Sequence, residues 1–235
     1  MNTILTSALK KNQNIFHGVV PFNAKEDKLL RMNFTATNKE LTDVVIEDSN
    51  RFAAYISQKI KDAGARYGIG GYAEFRSIYS RSNVFDNSIG GEPRRLHIGI
   101  DIWGEAGTPV FAFMGGMVHS FAFNNRFGDY GATLILLHQL DGVAFYSLYG
   151  HISLNDIYDI KSGQYVSRGE TIAHFGIPAE NGTWPPHLHF QLIYDIELRE
   201  GDYPGVCSYG EKNKYLENCP DPDIILKMMQ YAKPA

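Results

Sequence analysis

The chain has few cysteines, no long apolar run and no block of basic residues, and each shortage excludes a class of protein. Two cysteines among 235 residues cannot build a disulfide framework, and no CxxC pair offers a cysteine metal site. Their spacing leaves open whether Cys207 and Cys219 close one disulfide in the tail. No stretch of about 18 apolar residues is present, so the sequence predicts no transmembrane anchor.

Charge and the N-terminus narrow the expected partners and location. The net charge is -4 and the pI is about 6.1, and no run of Lys and Arg is interleaved with aromatic residues, so we expect no nucleic-acid partner. Lys10 and Lys11 follow a short, weakly apolar stretch, which is the reverse of the order in a secretory signal. The sequence as written therefore predicts a cytoplasmic protein, and export would require a signal that had been removed.

Apolar residues make up 44% of the chain, enough for one sizeable core. We expect three parts: an N-terminal extension over residues 1–90, a β domain over 91–200 and a tail over 201–235. A helix at about 48–63 is predicted in the extension, because N-cap residues precede apolar residues at helical spacing until Gly64. A short helix is predicted at Pro222 to Tyr231.

Short β-type runs separated by turn residues occupy the chain from Arg95 to Tyr194, among them LHIGIDIW, ATLILLH and HLHFQLIY. This pattern is typical of an antiparallel all-β domain, and no long helical pattern interrupts it, which counts against a parallel α/β sheet. The fold class predicted is mainly β, an antiparallel sheet or sandwich. Residues 67–91 are rich in Gly, Tyr and Arg, too polar for core strands, and could frame a substrate cleft.

The most informative residues are His97, Asp101, His151, His187 and His189, which lie in HIGID, YGH and HLH segments of this β-rich stretch. Two imidazoles and a carboxylate form a usual three-residue zinc site that leaves one position open for water. Zinc can lower the pKa of that water from about 15.7 to about 7. The remaining imidazoles could accept a proton or stabilise an oxyanion.

Strand geometry constrains how these residues can meet. His187 and His189 share a strand face about 7 Å apart, and spacing alone does not say which of them binds metal. A straight strand would separate His97 from Asp101 by about 13 Å, so we predict a bend at Gly99. The four other histidines considered receive no primary role; they are His17, His119, His138 and His174.

From about Leu96 to Gln191 the chain resembles the M23 family of zinc metallopeptidases, the lysostaphin and LytM-like peptidoglycan endopeptidases. The resemblance rests on HIGIDIW, GDYGATLILLH, YSLYGHIS, SGQYVSRGETIAHFG and PPHLHFQ. It implies a small antiparallel β domain with a groove over the metal, and a peptidoglycan or related peptide as substrate.

By the same resemblance, His97, Asp101 and His189 would hold zinc, and His151 and His187 would assist catalysis. The chain departs from the family in having Thr183-Trp184-Pro185 where a Ser/Thr-Gly pair usually precedes Pro-His.

A zinc-dependent endopeptidase is therefore the leading hypothesis. The alternatives are an intracellular peptide or amide hydrolase with the same chemistry, and a non-catalytic cell-wall-binding or regulatory module. A cupin-type enzyme is disfavoured, because cupins place the HxH pair early and follow it with a carboxylate, whereas HLH comes last here and position 193 is Ile.

Overall fold

A computed structural model describes residues 3–86 and 91–234. The α-helices, in chain order, are α1 (Thr3–Lys11), α2 (Asp43–Glu47), α3 (Ser49–Asp62), α4 (Lys212–Asn218) and α5 (Asp223–Leu226). The strands are β1 (Leu29–Arg31), β2 (Tyr67–Gly70), β3 (Glu74–Phe75), β4 (Arg94–His97), β5 (Ile100–Trp103), β6 (Pro109–Phe111), β7 (Gly116–Asn124), β8 (Gly131–Leu140), β9 (Val143–Ile152), β10 (Tyr165–Val166), β11 (Thr171–His174), β12 (His187–Ile193), β13 (Val206–Ser208) and β14 (Ala232–Pro234). Short 3₁₀ helices span Ser77–Arg81, Asn83–Phe85, Leu154–Ile157 and Met229–Tyr231.

A nine-stranded sheet in the order β10-β7-β8-β9-β12-β5-β2-β1-β14 forms the centre of the molecule. Its strands from β10 to β2 pair antiparallel, which confirms the mainly β, antiparallel prediction. A three-stranded sheet, β13-β4-β3, and a two-stranded sheet, β11-β6, accompany it. The β12 strand is buried along its whole length and lies between β9 and β5, so it is a central strand.

The far edge of the large sheet differs from the prediction because β1 pairs in parallel with both β2 and β14. Parallel neighbours need a crossover connection rather than a tight turn. Helices α2 and α3 lie between β1 and β2 in the chain and supply that crossover. The prediction of antiparallel pairing considered only residues 95–194, which do not contain this unit.

The predicted helix at about 48–63 is present as Ser49–Asp62. The Asp48 side chain caps it by accepting hydrogen bonds from the backbone N–H groups of Asn50 and Arg51, as expected for an N-cap aspartate. The helix packs Phe52 and Ile56 into a cluster that also holds Trp103 and Trp184. The N-terminal extension thereby buries apolar surface next to the strand that carries Asp101.

The tail departs from a single helix over Pro222 to Tyr231. Lys227 has a φ of 51°, and the Asp223 carboxylate accepts from the backbone N–H groups of Met228 and Met229 at 2.9 and 3.0 Å. These bonds end the helix early and redirect the chain.

The prediction that residues 67–91 are too polar for core strands is also wrong for Tyr67–Gly70, which is buried throughout as β2.

Cys207 and Cys219 are both free and fully buried thiols. Within the described ranges, no helix combines the length and apolar character needed to cross a membrane. The division of the chain at residues 90 and 200 stays a prediction.

Candidate active site

The site begins where the chain passes from the three-stranded to the nine-stranded sheet. His97 is the last residue of β4 and Asp101 is the second residue of β5, with Ile98 and Gly99 between the two strands. A Cβ atom at Gly99 would lie 2.5 Å from Cε1 of His189 and 2.9 Å from the carbonyl oxygen of Phe190. Only glycine allows this close approach, and the predicted bend between His97 and Asp101 is confirmed.

Three donor atoms converge beyond this bend. On β12, His189 lies directly opposite Asp101 in the antiparallel register with β5. Its Nδ1 is 3.0 Å from Oδ1 of Asp101 and 2.9 Å from Nε2 of His97, and the distance from Nε2 of His97 to the same Oδ1 is 3.2 Å. The three side chains are at most 4% exposed. Together they form a cluster that could hold a metal ion.

The second nitrogen of each of these imidazoles has its own acceptor. Nδ1 of His97 lies 3.0 Å from the carbonyl oxygen of Gly71, and Nε2 of His189 lies 2.9 Å from Oε1 of Gln191. If these nitrogens carry the protons, Nε2 of His97 and Nδ1 of His189 are left as lone-pair donors toward the cluster. Such outer partners set the tautomer and orientation of metal-binding histidines.

The charge states suit a cation site. Burial, followed by the nearby Arg76 guanidinium, lowers the pKa of His97 to about 3, so this imidazole is neutral near pH 7. Burial alone would raise the pKa of Asp101, but the Arg76 guanidinium bound to its carboxylate favours the ionised form, and that pKa lies well below its usual range. A neutral imidazole and an ionised carboxylate are the forms that bind metal.

His151 and His187 lie beside the cluster with ring centroids 4.1 Å apart. Nδ1 of His151 is 2.8 Å from the carbonyl oxygen of Asn181, and Nδ1 of His187 is 2.7 Å from that of Pro185. The His187 ring also stacks on Trp103 at 3.8 Å. A backbone acceptor at Nδ1 fixes that proton and leaves Nε2 of each ring as the basic nitrogen.

Burial lowers the pKa of both rings, to about 4 for His187 and well below the usual value for His151. Both are therefore neutral at pH 7, the form in which Nε2 carries a lone pair. His151 has a φ of 62°, a left-handed conformation that is uncommon for a residue other than glycine, and such outliers concentrate at functional sites.

A cleft of about 110 Å³ opens onto the cluster. Tyr79 and Phe85 of the N-terminal extension line one part of it, and Tyr203 and Val206 of the tail line another. The expectation that residues 67–91 frame a cleft is thus met by the segment before residue 87; residues 87–90 lie outside the described ranges. Trp184, from the departing Thr-Trp-Pro segment, also lines the cleft.

Sequence reasoning missed several residues that contact the cluster. Gln191 follows His189 by two positions on one strand, so strand alternation would have placed both on the same face. No comparable signal marks Gly71, or Arg76, whose Nη1 donates to Oδ2 of Asp101 at 2.5 Å. These two residues come from a segment far from the histidines in the chain.

The four histidines without a predicted role make their own contacts. His138 is buried, with Nδ1 3.0 Å from the Gly115 carbonyl oxygen and Nε2 2.7 Å from Oγ of Ser147. His174 pairs with Asp156. The other two histidines hydrogen-bond to the residue that follows them in the chain, His17 to Gly18 and His119 to Ser120.

Comparison with known proteins places this chain among peptidases. Residues 95–200 match the model of peptidase family M23. The chain is 30% identical over 125 residues to an L-Ala–D-Glu endopeptidase of Bacillus subtilis (strain 168), covering 51% of this chain and 36% of that protein. It is 34% identical over 94 residues to lipoprotein NlpD of Yersinia enterocolitica, covering 40% of this chain and 86% of that protein.

Among solved structures, the catalytic domain of the antimicrobial peptidase lysostaphin from Staphylococcus simulans matches 74% of this chain and 97% of its own, with 26% identity and a TM-score of 0.43. The chain spans only about a third of the length of the Bacillus subtilis L-Ala–D-Glu endopeptidase. The segment that matches the family model contains all five clustered residues, and the chain covers 86% of the length of lipoprotein NlpD at 34% identity. The chain belongs to peptidase family M23.

Proposed function

We propose that this chain is a zinc-dependent endopeptidase that hydrolyses a peptide bond in peptidoglycan stem peptides or cross-bridges. In this proposal His97, Asp101 and His189 hold the metal, and His151 and His187 assist catalysis. The observation that carries it is the convergence of three buried donor atoms beside two neutral imidazoles, in a chain of a peptidase family.

The donor set fits zinc. Ligand atoms about 2.0–2.1 Å from a tetrahedral zinc lie roughly 3.3 Å from one another. The three separations here are 2.9, 3.0 and 3.2 Å, so small side-chain movements would accommodate the ion. Three protein ligands leave a fourth position open, which favours a catalytic site over a structural one.

Zinc bound there would act as a Lewis acid and lower the pKa of a water molecule toward 7. The protein's own part is proton transfer and orientation. Nε2 of His151 or His187 can accept a proton as the water attacks the scissile carbonyl, and the same imidazole can return it to the departing amine. The backbone acceptors at Nδ1 hold both rings in the tautomer that this requires.

The cleft suits a peptide that carries both carboxylate and amine groups, as peptidoglycan stem peptides do. Its wall holds charges of both signs and several aromatic rings, namely Arg94, Arg126, Arg199, Asp129, Asp202, Tyr79, Tyr130 and Trp184. Support for the substrate also comes from the relative named L-Ala–D-Glu endopeptidase.

The test is digestion of purified sacculi and of a small set of synthetic peptides and amides, with soluble products followed by mass spectrometry. We expect the protein to carry about one zinc per chain and to release peptides from sacculi. A strong chelator should abolish release and added zinc should restore it. Activity on another amide with none on sacculi would overturn the substrate, and zinc-independent release would overturn the mechanism.

A further inference from the structure

Arg76 joins the N-terminal extension to the cluster of His97, Asp101 and His189. Its side chain is 1% exposed and lies between two carboxylates. Nη1 donates to Oδ2 of Asp101 at 2.5 Å, and Nε donates to Oε2 of Glu74 at 2.7 Å. The guanidinium also covers the ring of Phe34 at 5.0 Å, and Nη1 lies 3.1 Å from the hydroxyl oxygen of Tyr79.

The two oxygens of Asp101 have different neighbours as a result. Oδ1 faces Nε2 of His97 and Nδ1 of His189 at 3.2 and 3.0 Å, whereas Oδ2 is bound by Arg76. A carboxylate held at one oxygen cannot rotate freely, so the other oxygen stays directed at the histidines. Fixing a ligand before the metal arrives reduces the ordering cost of binding.

Arg76 could also oppose metal binding, because its positive charge lies near the place of a cation. The Glu74 carboxylate lies 2.7 Å from Nε of Arg76, so its negative charge offsets part of this repulsion, and we expect the orientation of Asp101 to be the larger effect. Losing an outer partner of a metal ligand typically weakens metal binding by about 10- to 100-fold.

We propose that Arg76 is a positioning residue that orients Asp101 for zinc, so that the N-terminal extension completes the metal centre from outside the family-matching residues 95–200. The inference rests on the zinc site of the proposed function. The competing possibility is that Arg76 only anchors the extension against the sheet, in which case its loss would lower stability without changing zinc affinity.

The experiment compares zinc affinity in wild type, Arg76→Met and Arg76→Lys, by competition with a chromophoric chelator, alongside the melting temperature of each metal-free protein. Methionine keeps an apolar stem of the side chain and removes the guanidinium with its hydrogen bonds, whereas lysine keeps the charge without the planar fork. Arg66→Met is the matched control, because Arg66 is in an ion pair with Asp27 at 3.2 Å away from the cluster.

We expect Arg76→Met to bind zinc at least about 10-fold more weakly than wild type, and Arg76→Lys to bind it with intermediate affinity. The zinc affinity of Arg66→Met should stay within twofold of wild type. If Arg76→Met does not fold, Arg76→Lys carries the test. Zinc affinities within twofold of wild type in the folded Arg76 variants, even with lower melting temperatures, would overturn this inference alone. A wild-type protein that does not bind zinc would overturn the proposed function as well.

Discussion

At the scale of single residues, the four buried histidines of the site divide into two groups by the atoms that their ring nitrogens face. His97 and His189 turn one nitrogen to the Asp101 carboxylate and the other to an outer acceptor. His151 and His187 turn Nδ1 to a backbone carbonyl and make no contact with Asp101 among the hydrogen bonds of residues 3–86 and 91–234. The hydrogen bonds, rather than burial, thus distinguish the proposed metal ligands from the proposed proton acceptors.

Alanine at His151 or His187 is expected to lower kcat by about 10²- to 10⁴-fold, the usual contribution of a general base, while zinc content stays near that of wild type. The measurement is peptide release from sacculi together with zinc analysis of the same samples. His17→Ala, at an exposed histidine, should retain full activity. Full activity of both site variants would contradict the assigned roles.

At the scale of elements, the junction of β4 and β5 brings two sheets to one point. The β4 strand pairs with β3 and β13, whereas β5 pairs with β12 and β2. Gly99 lies at this junction, and the His189 ring and the Phe190 backbone fill the space where a side chain would extend. The bend that unites His97 with Asp101 therefore depends on the absence of a side chain at one position.

Gly99→Ala should weaken zinc binding by at least about 10-fold and reduce the free energy of unfolding by about 1–3 kcal/mol, as overpacking does in a close-packed core. The new Cβ would meet backbone as well as a ring held by Gln191, so small shifts cannot relieve it. Urea unfolding and chelator competition measure both effects. Gly18→Ala is the control, since its Cβ would make only one ordinary contact, at 3.4 Å; equal behaviour of the two variants would contradict the steric explanation.

At the scale of the whole molecule, buried neutral histidines should make the fold sensitive to acid. Burial lowers the pKa of several of them, namely His97, His138, His151 and His187. His138 is the useful probe, because its bonds to Gly115 and Ser147 involve none of the clustered residues. Its pKa is about 4, compared with about 6.5 in an unfolded chain.

Between these values the unfolded chain binds more protons than the folded one, so stability is complete above about pH 6.5 and falls as the pH drops toward 4. We expect His138→Gln to reduce this pH dependence by up to about 1.4 kcal/mol per pH unit, the slope for one proton. Urea unfolding of metal-free protein from pH 4.5 to 7.5 measures it, with His17→Gln as the exposed control. An unchanged slope in His138→Gln would show that this ring is not the acid-sensitive group.

Local patterns in the sequence are enough to predict the strand-rich centre, the capped helix at 49–62, the bend at Gly99 and the candidate site residues, because alternation, caps and glycines act over a few neighbouring positions. The parallel pairing of β1 and the burial of β2 within the large sheet follow only from long-range packing. That packing also decided the contacts of Gly71 and Arg76 with the cluster. These contacts join residues more than 20 positions apart, and packing of the N-terminal extension against the sheet brings them together without a local pattern that marks them.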